Sequence, residues 1–216
     1  MSQLISSKKK ILITGINGFI GSYLATYLIN HGYKIRGTIR NRSLLEDAVD
    51  LQYITTPSIE QVNNWKPYLQ DVDAVIHLAG VSSFTRNADE ESINRLYAVN
   101  VQATIKLAEA VATKGDCRFI FISSIKVNGE SNIGLKITSV DQPKPETPYA
   151  QSKYCAEKKL RKLEIATGME LVIIRPAKVY GPTARGNLSS HMKAKRKKIP
   201  RKQDNKGFIR LNRIDY

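Results

Sequence analysis

The stretch Ile11-Leu12-Ile13-Thr14-Gly15-Ile16-Asn17-Gly18-Phe19-Ile20-Gly21 leads into a helical pattern that runs to His31. A short apolar run that breaks at glycine and restarts with helical spacing reads as a buried strand, a tight turn and a helix. Three glycines at G-x-x-G-x-x-G spacing suit a dinucleotide cradle. Gly15 lets the chain turn off the strand, Gly18 admits a pyrophosphate to the backbone, and Gly21 lets the helix pack close to the sheet. The phosphates then face free N–H groups at a helix N-terminus, where the helix dipole favours negative charge. The same spacing also serves a plain strand-to-helix turn, so the rest of the chain has to separate the two.

The flanking pattern repeats the unit. Strands are expected at 33–39, 49–55, 73–80, 117–123 and 171–174, and helices at 19–30, 59–70, 88–113 and 149–167. Ile20, Leu24, Tyr27 and Leu28 form the apolar face of the first helix. Strands alternating with helices, without hairpin signals, predict a doubly wound parallel α/β sheet whose ligands bind beyond the carboxyl ends of the strands. Gly80, Ser124 and Arg175-Pro176 all fall on that edge. The second strand ends Thr38-Ile39-Arg40-Asn41-Arg42, with no carboxylate before Glu46. An acidic residue there would take ribose hydroxyls, whereas an arginine accommodates a 2′-phosphate, so NADP is favoured over NAD. His77, between apolar neighbours, reads as a core histidine, and Trp65 as a residue packed on the sheet.

A second pattern carries chemistry. In Thr147-Pro148-Tyr149-Ala150-Gln151-Ser152-Lys153, Thr147 can cap a helix and Pro148 suits its first position. Tyr149 and Lys153 then lie one turn apart on one face. A free phenol titrates near 10, and a neighbouring ammonium should lower that value toward working pH. Ser123-Ser124 ends a strand, where a serine can hydrogen-bond the same substrate oxygen.

Taken in order, these residues resemble the extended short-chain dehydrogenase/reductase family, in its nucleotide-sugar epimerase/dehydratase branch. The matching residues are Thr14-Gly15-x-x-Gly18-x-x-Gly21, His77-Leu78-Ala79-Gly80, Val99-Asn100-Val101, Ser123 to Gly129, Tyr149-x-x-x-Lys153, and Arg175-Pro176-x-x-Val179-Tyr180-Gly181-Pro182. The resemblance implies an NAD(P)-binding domain over 8–187. Its catalytic residues are Ser124, Tyr149 and Lys153, with Tyr149 as acid/base, Lys153 tuning it and binding ribose, and Ser124 holding the sugar oxygen. Cofactor contacts are implied at Gly15, Asn17, Gly18, Phe19, Ile20, Gly21, Arg40, Leu78, Ala79, Gly80, Asn100, Tyr149, Lys153 and Pro176. Asn100 supports the lysine through its helix backbone. The implied reaction is hydride transfer at carbon 4 of a UDP-hexose, as in UDP-glucose 4-epimerases. An NADP-dependent 4-keto-sugar reductase is the first alternative, and a dinucleotide-binding remnant without activity the second. A reductase of small aromatic ketones is a third, weaker one, because Tyr33 to Arg42 also looks like dihydroflavonol reductases. A homodimer through the two long helices is implied as well.

Composition bounds these readings. The 216 residues are 42% hydrophobic and 25% charged, as in an ordinary globular protein. Net charge is +15, and residues 176–216 hold 12 basic against 2 acidic side chains. The basic run from His191 to Lys202 reads as a remnant of the substrate lobe, most of which is absent, or as a solvated tail. A nucleic-acid contact is the least favoured, because aromatic residues are not interleaved. Cys117 and Cys155 lack metal-ligand spacing and suggest buried thiols in a reducing compartment. Lys8-Lys9-Lys10 precedes an apolar run too short for a leader or a membrane span, so a cytoplasmic protein is expected.

Overall fold

Val75, Phe119 and Phe121 are wholly buried, as are Leu12 and Ile13, because the strands that carry them are covered on both faces. A computed structural model describes residues 8–42, 45–82, 89–129, 137–138, 141–177 and 179. The strands are β1 (Lys10–Thr14), β2 (Lys34–Ile39), β3 (Leu51–Thr55), β4 (Ala74–His77), β5 (Arg118–Ile122) and β6 (Leu171–Ile174). They form one parallel sheet in the order β3-β2-β1-β4-β5-β6. The expected doubly wound architecture is present, with its switch point between β1 and β4, where crossovers leave in opposite directions.

One face of the sheet holds α1 (Phe19–Asn30) over Ile11, Ile13, Ile35 and Ile76. The other holds α3 (Thr104–Lys114) and α4 (Pro148–Thr167) over Leu12, Val75, Phe119 and Phe121. Thr147 caps α4 by accepting from the Ala150 N–H at 3.3 Å. Gly168 closes it in the left-handed conformation that favours glycine. The inward face of α1 is Gly21, Leu24, Ala25 and Leu28; Tyr27, expected there, faces solvent and stacks on His31 at 4.0 Å.

Two expected helices differ. Residues 59–70 form two short 3₁₀ turns, Ile59–Gln61 and Lys66–Leu69. Pro67 has no N–H to give, and the buried Arg36 guanidinium takes the carbonyls of Tyr68 and Gln70 at 3.0 and 2.7 Å, so a continuous helix loses its partners. Trp65, between the turns, is buried in the core as expected. The helix expected over 88–113 starts with Asp89 as its cap and is interrupted. α2 (Glu90–Tyr97) passes into a π segment, Ala98–Ala103, before α3. Cys117 is buried, and that burial raises its thiol pKa to about 11; Cys155 is only half-buried. The basic run, Gly181-Pro182 and the 187/188 boundary lie outside the described residues. Among those described, no helix is long and apolar enough to cross a membrane.

His77 fills the core role its neighbours implied. Its Nδ1 lies 2.7 Å from Thr14 Oγ1 and its Nε2 2.9 Å from Thr104 Oγ1. The Thr104 hydroxyl proton is already donated to the Asn100 carbonyl at 2.8 Å. Thr104 therefore accepts from Nε2–H, and Thr14 donates to Nδ1, which fixes the neutral tautomer. Burial, assisted by the nearby Lys153 charge, pushes the His77 pKa down to about 3 from 6.5. Between those values the unfolded chain binds a proton that the folded one refuses, so stability falls as pH drops through this window. The expected slope from this group is about 1.4 kcal/mol per pH unit. Urea unfolding of wild type and His77→Gln from pH 6.5 to 3 checks it: the variant's profile should be flatter by one proton.

Candidate functional site

The turn after β1 is built by exclusion of side chains. Gly15 sits at φ +72°, and a Cβ there would come within 2.9 Å of the Ala79 backbone nitrogen. A Cβ on Gly21 would meet the Gly15 carbonyl at 2.3 Å and Ile16 Cα at 2.8 Å. Neither neighbour can yield, because both are backbone. The Gly18 N–H donates to the Gly15 carbonyl at 3.0 Å, and no side chain caps the N-terminus of α1. The turn is thus open on its outer side.

It opens onto a cleft of about 290 Å³. Gly15, Asn17 and Gly18 line it from the end of β1, Thr38 to Arg40 from β2, and Leu78 to Val81 from β4. Thr56 to Glu60 add the segment after β3, and Arg95 and Val99 the side of α2 and the π segment. Of the residues expected to touch a cofactor, Gly15, Asn17, Gly18, Arg40, Leu78, Ala79 and Gly80 therefore share one cavity. Phe19 and Ile20 are half-buried in the first turn of α1, and Gly21 is buried beneath it. The Thr56–Glu60 segment could have been found from the strand-end rule applied to β3. Arg95 could not, because its place depends on how α2 is rotated.

Ser124, Tyr149, Lys153, Asn100 and Pro176 do not line that cleft. They gather behind Gly80, around the end of β5. Ser124 extends the strand and caps the 3₁₀ turn Ile125–Asn128 by accepting from the Lys126 N–H at 3.3 Å. The Pro176 carbonyl accepts from the Ile125 N–H at 3.1 Å, which brings the end of β6 beside it. Tyr149 is half-buried in the first turn of α4. Burial raises the pKa of its phenol above 10, and a hydrogen bond with Ser124 opposes that rise. The expected lowering by Lys153 is not what the geometry provides. The Lys153 ammonium instead donates to the Ile122 carbonyl at 3.0 Å and sits 4.7 Å from the centre of the Phe121 ring. Burial lowers the Lys153 pKa to about 8, against a smaller upward pull from Glu157.

Asn100 joins the two groups through its side chain rather than its helix backbone. Its Oδ1 accepts from the Val81 N–H at 2.8 Å, while Nδ2 donates to the Val81 carbonyl at 2.9 Å and to Ser152 Oγ at 3.0 Å. The Asn100 backbone carbonyl goes to Thr104. A Cβ on Gly80 would lie 3.0 Å from Asn100 Oδ1 and 3.4 Å from Lys153 Nζ, so Gly80 is the point where cleft and lysine meet. Behind them, Glu157 receives Arg175 through two oxygens and Ser123 through one, all buried. That network locks α4 against β5 and β6.

A nicotinamide dinucleotide fits this arrangement: an uncapped helix N-terminus and a side-chain-free turn for phosphates, with a buried ammonium at the inner end. If the close approach at Gly21 is required as described, Gly21→Ala should lose about 3 kcal/mol of stability and lower the unfolding temperature by roughly 6–12 °C. Thermal unfolding followed by circular dichroism measures it.

Comparison with known proteins agrees with this geometry. The chain is 34% identical over 194 residues to the UDP-glucose 4-epimerase of Vibrio cholerae, covering 89% of this chain and 58% of that one. It is 28% identical over 187 residues to a 3 beta-hydroxysteroid dehydrogenase/Delta 5-->4-isomerase of Mycobacterium tuberculosis, covering 83% of this chain and 50% of that one. Among solved structures, the UDP-glucuronic acid 4-epimerase of Bacillus cereus, in complex with UDP-glucuronic acid and NAD, superposes with a TM-score of 0.73. It is 28% identical, and the match covers 84% of this chain and 60% of that one. The chain thus spans roughly three-fifths or less of the length of these relatives. Since residues 11–206 match its family profile, the chain belongs to the NAD dependent epimerase/dehydratase family.

Proposed function

We propose that this chain carries the dinucleotide-binding and catalytic residues of a nucleotide-sugar epimerase/oxidoreductase acting at carbon 4 of a UDP-hexose. The observation that carries the reading is the meeting of two groups at Gly80: the open glycine cleft on one side, and Ser124, Tyr149 and Lys153 on the other. The Vibrio cholerae and Bacillus cereus relatives, both 4-epimerases of UDP-sugars, support the substrate class.

A bound nicotinamide coenzyme supplies a hydride acceptor and donor. Gly15, Gly18 and the N-terminus of α1 hold its phosphates, and Lys153 its nicotinamide-side ribose. Tyr149 takes the proton from the sugar hydroxyl and returns it, with Ser124 holding the same oxygen. Since burial alone raises the Tyr149 pKa, the phenol needs a positive partner in the assembled site to act as a base at neutral pH. Lys153, brought off the Ile122 carbonyl, is the nearest candidate on α4.

Replacing Tyr149 with Phe should lower turnover about 10²- to 10⁴-fold while leaving dinucleotide affinity unchanged, measured with UDP-glucose and its 4-keto form as substrates. Equal turnover in the variant would sink the assignment. Arg40 at the end of β2 favours NADP, and with it a 4-keto-sugar reductase in place of an epimerase. A second reading is a dinucleotide-binding module; coenzyme binding with no turnover of any nucleotide sugar would select it.

The family resemblance extends to assembly. α3 and α4 pack side by side on one face of the sheet, and the homodimer forms through the helices of that face. Light scattering at micromolar concentration should give twice the chain mass.

A further inference from the structure

Seven arginines fall among the described residues, and five of them are engaged by partners. Arg36 holds two carbonyls and Gln52, Arg42 pairs with Asp47, Arg118 with Glu170, Arg161 with Glu164, and Arg175 with Glu157. The two whose side chains have no partner among the described residues are Arg40 and Arg95, and both line the same cleft. The lining holds a single carboxylate, Glu60, so the cavity carries a positive excess. An exposed arginine ordinarily costs nothing unpaired. Two of them facing one concavity attract an anion.

The place of Arg95 narrows which anion. The 3₁₀ turn Ile59–Gln61 packs against the π segment that follows α2. Arg95 and Val99 therefore stand beside the residues that follow β3, next to the end of β2 where Arg40 projects. The glycine turn lies at β1, on the inner side of β2, and the Tyr149 group lies further off, beyond Gly80. Ile59 and Val99 offer apolar surface for a base at this outer end. A phosphate at the adenosine end, rather than the pyrophosphate or the sugar nucleotide, is the anion that suits the two arginines lining this part of the cleft.

We propose that Arg95 is a second binding residue for the adenosine 2′-phosphate of a phosphorylated nicotinamide dinucleotide, meeting it from α2 while Arg40 meets it from β2. The inference rests on the dinucleotide reading of the cleft. Charge-assisted, bidentate contacts from two elements bind such a group more selectively than one loop arginine does. The preference for NADPH over NADH then depends on both residues and weakens with salt.

Fluorescence titration of wild type, Arg40→Ala and Arg95→Ala with NADPH and with NADH tests this. Arg95→Ala should weaken NADPH about 10-fold with NADH unchanged, and 2′-AMP but not 5′-AMP should lose its ability to compete. Equal losses for both dinucleotides would place Arg95 on the pyrophosphate or the base and overturn the proposal, as would no loss at all. If wild type binds neither dinucleotide, the cleft reading itself fails; if it binds NADH as well as NADPH and Arg95→Ala changes neither, only the role of Arg95 falls. Arg95→Gln, which keeps the side-chain stem, gives the same readout should the alanine variant unfold.

Discussion

The fold turns on a contact in which nothing but backbone takes part. The turn after β1 lies so close to the chain leaving β4 that a single Cβ on Gly15 would collide with Ala79, and one on Gly21 would collide with Gly15 itself. Because β1 and β4 are neighbours at the switch point of the sheet, this closeness pins α1 over the cleft and leaves its N-terminus pointing at it. The cavity exists because three side chains are missing where other helices would have them. The electrostatic character of the site follows from the same fact, since backbone N–H groups supply positive potential without a charged side chain in the turn.

A second constraint ties this cradle to the tyrosine and lysine. Asn100 spans from the loop after β4 to α4, and it does so from a helix widened into a π segment. Such a segment redirects carbonyls and side chains out of the regular ladder, a form frequent at functional sites. Here it aims Asn100 at Val81 and Ser152, while the Thr104 hydroxyl donates to the Asn100 carbonyl and accepts from His77 Nε2–H. One buried chain of polar groups therefore runs from β1 through β4 to the helices, fully satisfied at each step. A buried network of this kind holds geometry firmly because any loosened member strands a partner away from water. The Ser123–Glu157–Arg175 cluster does the same on the far side of α4.

The chemical consequence is a buried lysine beside the cleft whose ammonium is tied to the end of β5. Its ammonium is almost wholly buried, and that burial lowers its pKa to about 8, while the Ile122 carbonyl and the Phe121 face hold it in place. Desolvation that lowers the lysine also raises the tyrosine. The two shifts move the groups apart, so that the lysine gives up its proton well before the phenol does. Simple spacing on a helix puts Tyr149 and Lys153 on one face, but where the amine points is set by β5.

Local signals in the chain were sufficient for the parallel α/β architecture, the glycine turn and the cap of α4, because strand burial, positive φ and N-capping each depend on a few consecutive residues. They also sufficed for His77 and Trp65, whose apolar neighbours mark them as core. What only the tertiary structure decided were features that depend on distant partners. Residues 59–70 break into 3₁₀ turns because Arg36, a strand away in sequence, claims their carbonyls. The long helix is interrupted by the π segment that carries Asn100, whose side chain bonds Val81 and Ser152. Arg95 lines the cleft because α2 leads into a segment that packs against the turn after β3. Spacing fixes which residues share a face; only packing fixes what that face meets.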